Sequence, residues 1–183
     1  LKILKDNGIS YIGGGSSYDE AHQPVVREIK GTKIAYLGYT NLLPQSLGLK
    51  SSKPAVAFPD EDQIILDIQK AKALANIVIV SFHWGEEYET HHNSFQENLA
   101  HTAIDAGADL IVGHHPHVVQ EVEKYNGGYI AYSLGNFVFD QNFSEDTKSG
   151  LLLTATLKDK KITEINQRQV KFNSSYQPFL VSQ

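Results

Sequence analysis

The middle of the chain alternates between two hydrophobic patterns. Apolar residues at Ile64, Ile65, Ile68, Ala71 and Leu74 or Ala75 recur at helical spacing, with Asp60 where an N-cap belongs, so a helix is predicted over residues 60–75. The continuous run Ile77-Val78-Ile79-Val80-Ser81-Phe82 follows and suits a strand buried on both faces. Residues 94–106 repeat the helical period, with Ser94 as cap, Glu97 three residues on and Gly107 as the stop. Residues 109–112 are a second buried strand. Helix, strand, helix, strand in that order predicts an α/β fold with parallel strands.

The flanks follow a period of two instead. Residues 9–12 form a short strand candidate that runs into a glycine-rich loop, and residues 19–22 form a helical turn. Residues 25–30 and 33–39 read as a hairpin joined at Gly31-Thr32, before a proline-bearing excursion over residues 40–59. Strands over 118–124 and 129–134 flank Tyr125-Asn126-Gly127-Gly128, and strands over 151–157 and 162–170 flank Lys158-Asp159-Lys160-Lys161. The tail after Phe172 is polar and is expected on the surface.

Composition narrows the function classes. The 183 residues are 41% hydrophobic and 20% charged, enough for a full core in one domain. No apolar run approaches the roughly 20 residues of a membrane span. A net charge of −5 disfavours nucleic acid as a partner. The absence of cysteine removes thiolate chemistry and cysteine-type zinc sites. There is no methionine, and Leu1-Lys2-Ile3-Leu4-Lys5-Asp6-Asn7-Gly8 reads as the tail of a helix, so sequence upstream is expected.

The chemistry gathers where the buried strands end. One strand delivers His83-Trp84-Gly85 and the other Gly113-His114-His115-Pro116-His117. Ligands of open α/β sheets sit beyond the carboxyl ends of the strands, which brings these two loops together. Imidazoles suit zinc, iron, nickel and manganese, and Pro116 stiffens the loop between two of them. The plain alternative is a solvated polar loop. His91 and His92 read as an exposed loop, His101 as a boundary residue and His22 as structural. Glu87 either orients a ligating histidine or is solvated; Asn136 either donates to a substrate oxygen or caps its turn. Gly13-Gly14-Gly15 lacks the lysine and hydroxyl of a phosphate loop, and no G-x-S-x-G elbow is present.

Three ordered segments carry a resemblance. They are Ser81-Phe82-His83-Trp84-Gly85-Glu86-Glu87-Tyr88, then Ala106-Gly107-Ala108-Asp109-Leu110-Ile111-Val112-Gly113-His114-His115-Pro116-His117-Val118-Val119-Gln120, then Ile130-Ala131-Tyr132-Ser133-Leu134-Gly135-Asn136-Phe137-Val138-Phe139-Asp140-Gln141. Together they resemble the bacterial capsule synthesis protein family typified by the CapA proteins of poly-γ-glutamate synthesis, which is similar in fold to the calcineurin-like metallophosphoesterases. The resemblance implies the C-terminal portion of an α/β/β/α sandwich with mixed sheets and C-terminal β-hairpins, as one domain over residues 1–183 that is incomplete at its N-terminus. It implies divalent metal ions (Mn, Fe or Zn) on His83, His115 and His117, with His114 a weaker ligand candidate. His114, Glu87 and Asn136 then stand as candidate catalytic side chains, and Trp84 and Asn136 as candidate substrate contacts. The family's Gly-Asp and Asn-His motifs have no counterpart here, so one weakly held ion is expected rather than a bridged pair.

The implied function is metal-dependent hydrolase or transferase chemistry in capsule or poly-γ-glutamate synthesis; the alternative is a non-catalytic polymer-binding or anchoring component. The implied partners are an anionic polymer such as poly-γ-glutamate, other capsule-synthesis proteins at the membrane, and a second copy through exposed sheet edges. The implied location is the outer side of the membrane, anchored through an N-terminal segment.

Overall fold

The computed structural model describes residues 1–42 and 55–181. In chain order the elements are α1 (Lys2–Asp6), β1 (Gly14–Gly15), α2 (Tyr18–Ala21), β2 (Val25–Ile29), β3 (Thr32–Thr40), β4 (Ala55–Val56), α3 (Glu61–Leu74), β5 (Ile77–His83), α4 (Ser94–Asp105), β6 (Leu110–His114), β7 (Val122–Tyr125), β8 (Gly128–Ala131), β9 (Ser149–Lys158), β10 (Lys161–Phe172) and β11 (Pro178–Leu180). Six strands form a mixed sheet in the order β2-β3-β5-β6-β8-β7. Its four central strands are parallel, and an antiparallel strand closes each edge. β9, β10 and β11 form a separate antiparallel sheet, and β1 pairs with β4.

The parallel sheet presents one face to α3 and α4. Ala35, Leu37 and Tyr39 of β3, Val78, Val80 and Phe82 of β5, and Ile111 of β6 pack there against Ile64, Ile68 and Ala71 of α3 and Leu99, Ala100 and Ala103 of α4. Burying each large side chain contributes about 1.5–3 kcal/mol, so this layer fixes the strand register. Burial of β5 on both faces, expected from its apolar run, is only partly met. Ile79 and Ser81 are half-buried, because the helices cover only the side of Val78 and Val80.

Turn chemistry holds three hairpins. In β2–β3 the turn is Lys30-Gly31, in β7–β8 Asn126-Gly127, and in β9–β10 Asp159-Lys160, each with both residues at positive φ. That is the primed turn matched to strand twist.

Several expectations shift. The strand foreseen over residues 9–12 does not form; the nearest strand pairing among the described residues is that of Gly14–Gly15 with β4, within the loop that follows. Ile12 instead lies so close over Gly38 that a Cβ there would meet it at 2.9 Å. Asp60 caps α3 as expected, accepting from the Gln63 amide. The α4 cap is Asn93 rather than Ser94: Asn93 and Gln96 form the reciprocal box one residue earlier, because Gln96 points inward and is fully buried. The 118–124 and 129–134 strands shorten to β7 and β8, leaving an isolated Val119–Leu134 bridge. The tail adds β11 against β10. Most of the excursion expected over residues 40–59 lies outside the described residues.

Candidate metal centre

Parallel register sets Thr40, His83 and His114 side by side at the ends of β3, β5 and β6. The expected convergence of strand ends is therefore what the chain builds. Beyond β6 the backbone turns sharply: His115 and His117 adopt φ of 105° and 61°. Such left-handed geometry costs a non-glycine residue on the order of 1–3 kcal/mol and persists where the surroundings impose it. Here it turns the two imidazoles toward each other, with ring centroids 6.0 Å apart.

Glu87 completes the group. One ligand atom from each of Glu87, His115 and His117 can be chosen so that all lie within 4.8 Å of one another. Metal bonds of about 2.0–2.2 Å put neighbouring ligand atoms roughly 3–3.6 Å apart, so these side chains must draw in by up to about 1–2 Å to make a His2Glu donor set with open positions. Zinc, iron and manganese all accept such a set. Glu87, whose sequence reading left it between orienting a ligand and solvation, thus brings its own carboxylate to the ligand positions. His83 stands beside these three rather than among them, with its ring edge-on to His115 at 4.8 Å and its Nδ1 3.1 Å from Thr40 Oγ1. His114 lies beside His83 at the end of the neighbouring strand β6 and is exposed.

Burial favours the neutral imidazole, the form that can ligate, at His83 and His115. Desolvation, then the neighbouring His115, His114 and His117, lowers the pKa of His83. Desolvation also lowers that of His115, against the opposing pull of Glu87.

Asn136 fixes the tautomer of His117. Its Nδ2 donates to the Thr147 carbonyl at 2.9 Å, so its Oδ1 must face His117 Nδ1, also at 2.9 Å. His117 Nδ1 therefore carries the proton, which makes Nε2 the ring atom available for ligation in the neutral tautomer. Asn136 is 4% exposed and its polar atoms all point inward. That places it as an orienting group rather than the substrate donor or turn cap expected.

Trp84 requires a correction. It was a candidate substrate contact, but it is fully buried, stacked on Phe82 at 4.5 Å, with its indole N–H donating to the Tyr132 carbonyl. It packs beneath the site. Gly113 makes room for that bond, since a Cβ there would lie 1.8 Å from the Tyr132 oxygen and 2.5 Å from the indole nitrogen. The exposed side of His117 meets Phe139 at 4.9 Å and Tyr88 at 6.3 Å, aromatic neighbours the sequence reading did not single out.

The other histidines sort as follows. His22 is buried against Asp67, in keeping with a structural role. His101 pairs with Glu123 and stacks on Tyr125. His91 is exposed as expected, yet both it and His92 bind Glu121, and His92 stacks on Tyr132 at 3.8 Å.

Comparison with known proteins places the chain. The family model described as bacterial capsule synthesis protein PGA_cap matches residues 1–141. The chain belongs to this family. The matched PGA_cap region spans every residue of the centre described above. Among curated relatives, the capsule biosynthesis protein CapA of Bacillus anthracis is 38% identical over 163 residues, covering 87% of this chain and 39% of the relative. The PGA biosynthesis protein CapA of Bacillus subtilis (strain 168) is 42% identical over 152 residues, covering 82% and 40%. This PGA_cap chain therefore spans about two-fifths of the length of those relatives. The sulfate thiohydrolase SoxB of Thermus thermophilus, solved with glycerol, superposes with a TM-score of 0.53 at 18% identity, covering 81% of this chain and 24% of SoxB. A hypothetical protein, also from Thermus thermophilus, superposes with a TM-score of 0.56 at 13% identity, covering 86% and 61%. At these identities the likeness is one of fold, an α/β architecture with a mixed sheet and C-terminal hairpins.

Proposed function

We propose that this chain carries a divalent-metal centre on Glu87, His115 and His117, and that the centre serves hydrolase or transferase chemistry in poly-γ-glutamate capsule synthesis at the cell envelope. The observation that carries the reading is the convergence of the three donor groups, with His115 and His117 on backbone held at positive φ and Asn136 fixing the tautomer of His117. Support for the pathway comes from the PGA_cap family match and from relatives whose names specify capsule and PGA biosynthesis. No helix among the described residues is long and apolar enough to cross a membrane.

A bound divalent ion would supply Lewis acidity and a water of lowered pKa. The protein's own groups do the rest. Asn136 holds His117 with Nε2 presented, and the neutral state of His115 leaves its lone pair available. Glu87 contributes the negative charge that makes the set favourable for a cation. His83, held beside Thr40, lies close enough to bind an ion, a substrate oxygen or a water at the open side. Tyr88 and Phe139 flank His117 on its outer side.

The test is turnover by the metal-loaded protein on a generic phosphodiester and on poly-γ-glutamate, alongside Glu87→Ala and His117→Ala. Metal-dependent cleavage lost in both variants is expected. Metal binding without turnover on either substrate would favour the polymer-anchoring alternative, and absence of metal binding would overturn the centre itself.

A further inference from the structure

Residues 84–93 connect β5 to α4 and carry Glu87, yet form no helix or strand after Trp84. Irregular loops are ordinarily mobile, and a mobile Glu87 would be a poor donor. This loop is instead docked along residues 114–121, the segment that bears His115 and His117. Trp84 N donates to His114 O at 3.0 Å and Tyr88 N to Pro116 O at 2.8 Å. The last stretch is gripped from below: Gln120 Nε2 donates to Glu89 O at 2.9 Å and to His91 O at 3.0 Å.

Gln120 cannot swing away. Its Oε1 accepts from Gln96 Nε2 at 2.9 Å, and Gln96 Oε1 accepts from the Asn93 amide at 3.0 Å. The chain of bonds fixes the orientation of both amides, so the two Gln120 protons must face the loop carbonyls. Both glutamines are buried, Gln96 completely and Gln120 to 4% exposure. Gln96 also abuts the start of the loop, since a Cβ on Gly85, at φ +87°, would lie 2.8 Å from its amide carbon. One buried amide pair thus bears on Gly85, before Glu87, and on Glu89, His91 and Asn93, after it. Neither glutamine belongs to the donor group of Glu87, His115 and His117.

We propose that Gln96 and Gln120 are positioning residues: their amide pair holds the 84–93 loop so that Glu87 meets His115 and His117. The inference rests on the metal centre proposed above. It departs from a simple packing role in one respect: the effect of Gln120 on metal affinity must pass through Glu87.

The experiment is a double-mutant cycle on Mn2+ affinity by calorimetry, using the full chain with Gln120→Leu, Glu87→Ala and the two combined. Hydrogen exchange of the Tyr88 and His92 amides is followed in parallel without metal. Gln120→Leu is expected to weaken Mn2+ binding about 10–100-fold, as loss of groups behind metal ligands does. It is also expected to speed exchange at both amides. In the Glu87→Ala background it should weaken binding no further. If Gln120→Leu fails to fold, Gln96→Leu carries the same test, since it removes the group that orients the Gln120 amide, together with the Gln96 side-chain half of the α4 capping box. Unchanged affinity, or losses that simply add in the double variant, would overturn the proposal. Mn2+ binding by the wild type that Glu87→Ala leaves intact would instead overturn the metal reading, while the exchange data would still report whether Gln120 holds the loop.

Discussion

Replacing Asp67 with alanine tests how the core supports the site. Asp67 lies on α3, fully buried, and receives three bonds: His22 Nδ1 at 2.6 Å and the Tyr39 hydroxyl at 3.0 Å on Oδ2, and Gln63 Nε2 at 2.8 Å on Oδ1. His22 and Tyr39 are 4% and 5% exposed and cannot turn to solvent, whereas Gln63 is only partly buried and can. Each buried donor left without an acceptor costs about 1–3 kcal/mol, and removing one partner of a buried pair costs about 3–5 kcal/mol in all. Asp67→Ala should therefore lose about 3–5 kcal/mol, a large share of the roughly 5–15 kcal/mol of a typical domain. Tyr39→Phe removes one bond and should lose about 0.5–1.5 kcal/mol. The assay is urea unfolding followed by fluorescence of Trp84, the single tryptophan, which is wholly buried in the same core. A loss below about 1 kcal/mol for Asp67→Ala at unchanged m-value would refute the reasoning, because the donors would then have found other partners.

Other outcomes follow from the same geometry. Asn136→Leu should weaken Mn2+ or Zn2+ binding about 10–100-fold by calorimetry, since His117 loses the group that fixes its tautomer. Gly113→Ala should destabilise the fold by about 1–3 kcal/mol or more in the same urea assay, its methyl falling on the Tyr132 carbonyl and the Trp84 indole. Burial pushes the Glu121 carboxyl up, but hydrogen bonds from His91, the backbone and His92 outweigh it and bring the pKa down to about 2. Stability from this group is therefore present above the ordinary carboxylate pKa of about 4.5 and lost as pH falls from there toward about 2. Glu121→Gln should flatten that part of a stability–pH profile by a small amount, because the side chain is 41% exposed and screened by solvent.

The parallel core was legible because its signals are local and redundant. The period of Ile64, Ile68 and Ala71, the apolar β5 and the Asn126-Gly127 turn each specify an element without reference to the rest of the chain. The convergence of His83 with the 113–117 loop followed from where parallel strands end. Less legible were features that depend on what a side chain meets in space. Ser94-x-x-Glu97 and Asn93-x-x-Gln96 are equivalent cap patterns along the sequence, and only the burial of Gln96 selects the second. Trp84 beside a ligand candidate suggested substrate contact, but β-strand alternation puts it on the helix-facing side with Val78, Val80 and Phe82. Glu87 lies in an acidic, polar stretch that reads as solvated; its approach to His115 and His117 depends on the contacts of Gln120 with the loop, which no local pattern announces.

The position of a bound ion tests the metal centre most directly. Crystals soaked in Mn2+ or Zn2+ and measured at the absorption edge of the metal would locate it by anomalous scattering. A peak about 2.0–2.2 Å from Glu87, His115 and His117 Nε2 is expected. A peak confined to His91, His92 and Glu121, or no peak at occupancy-saturating metal, would contradict a centre built on those three residues.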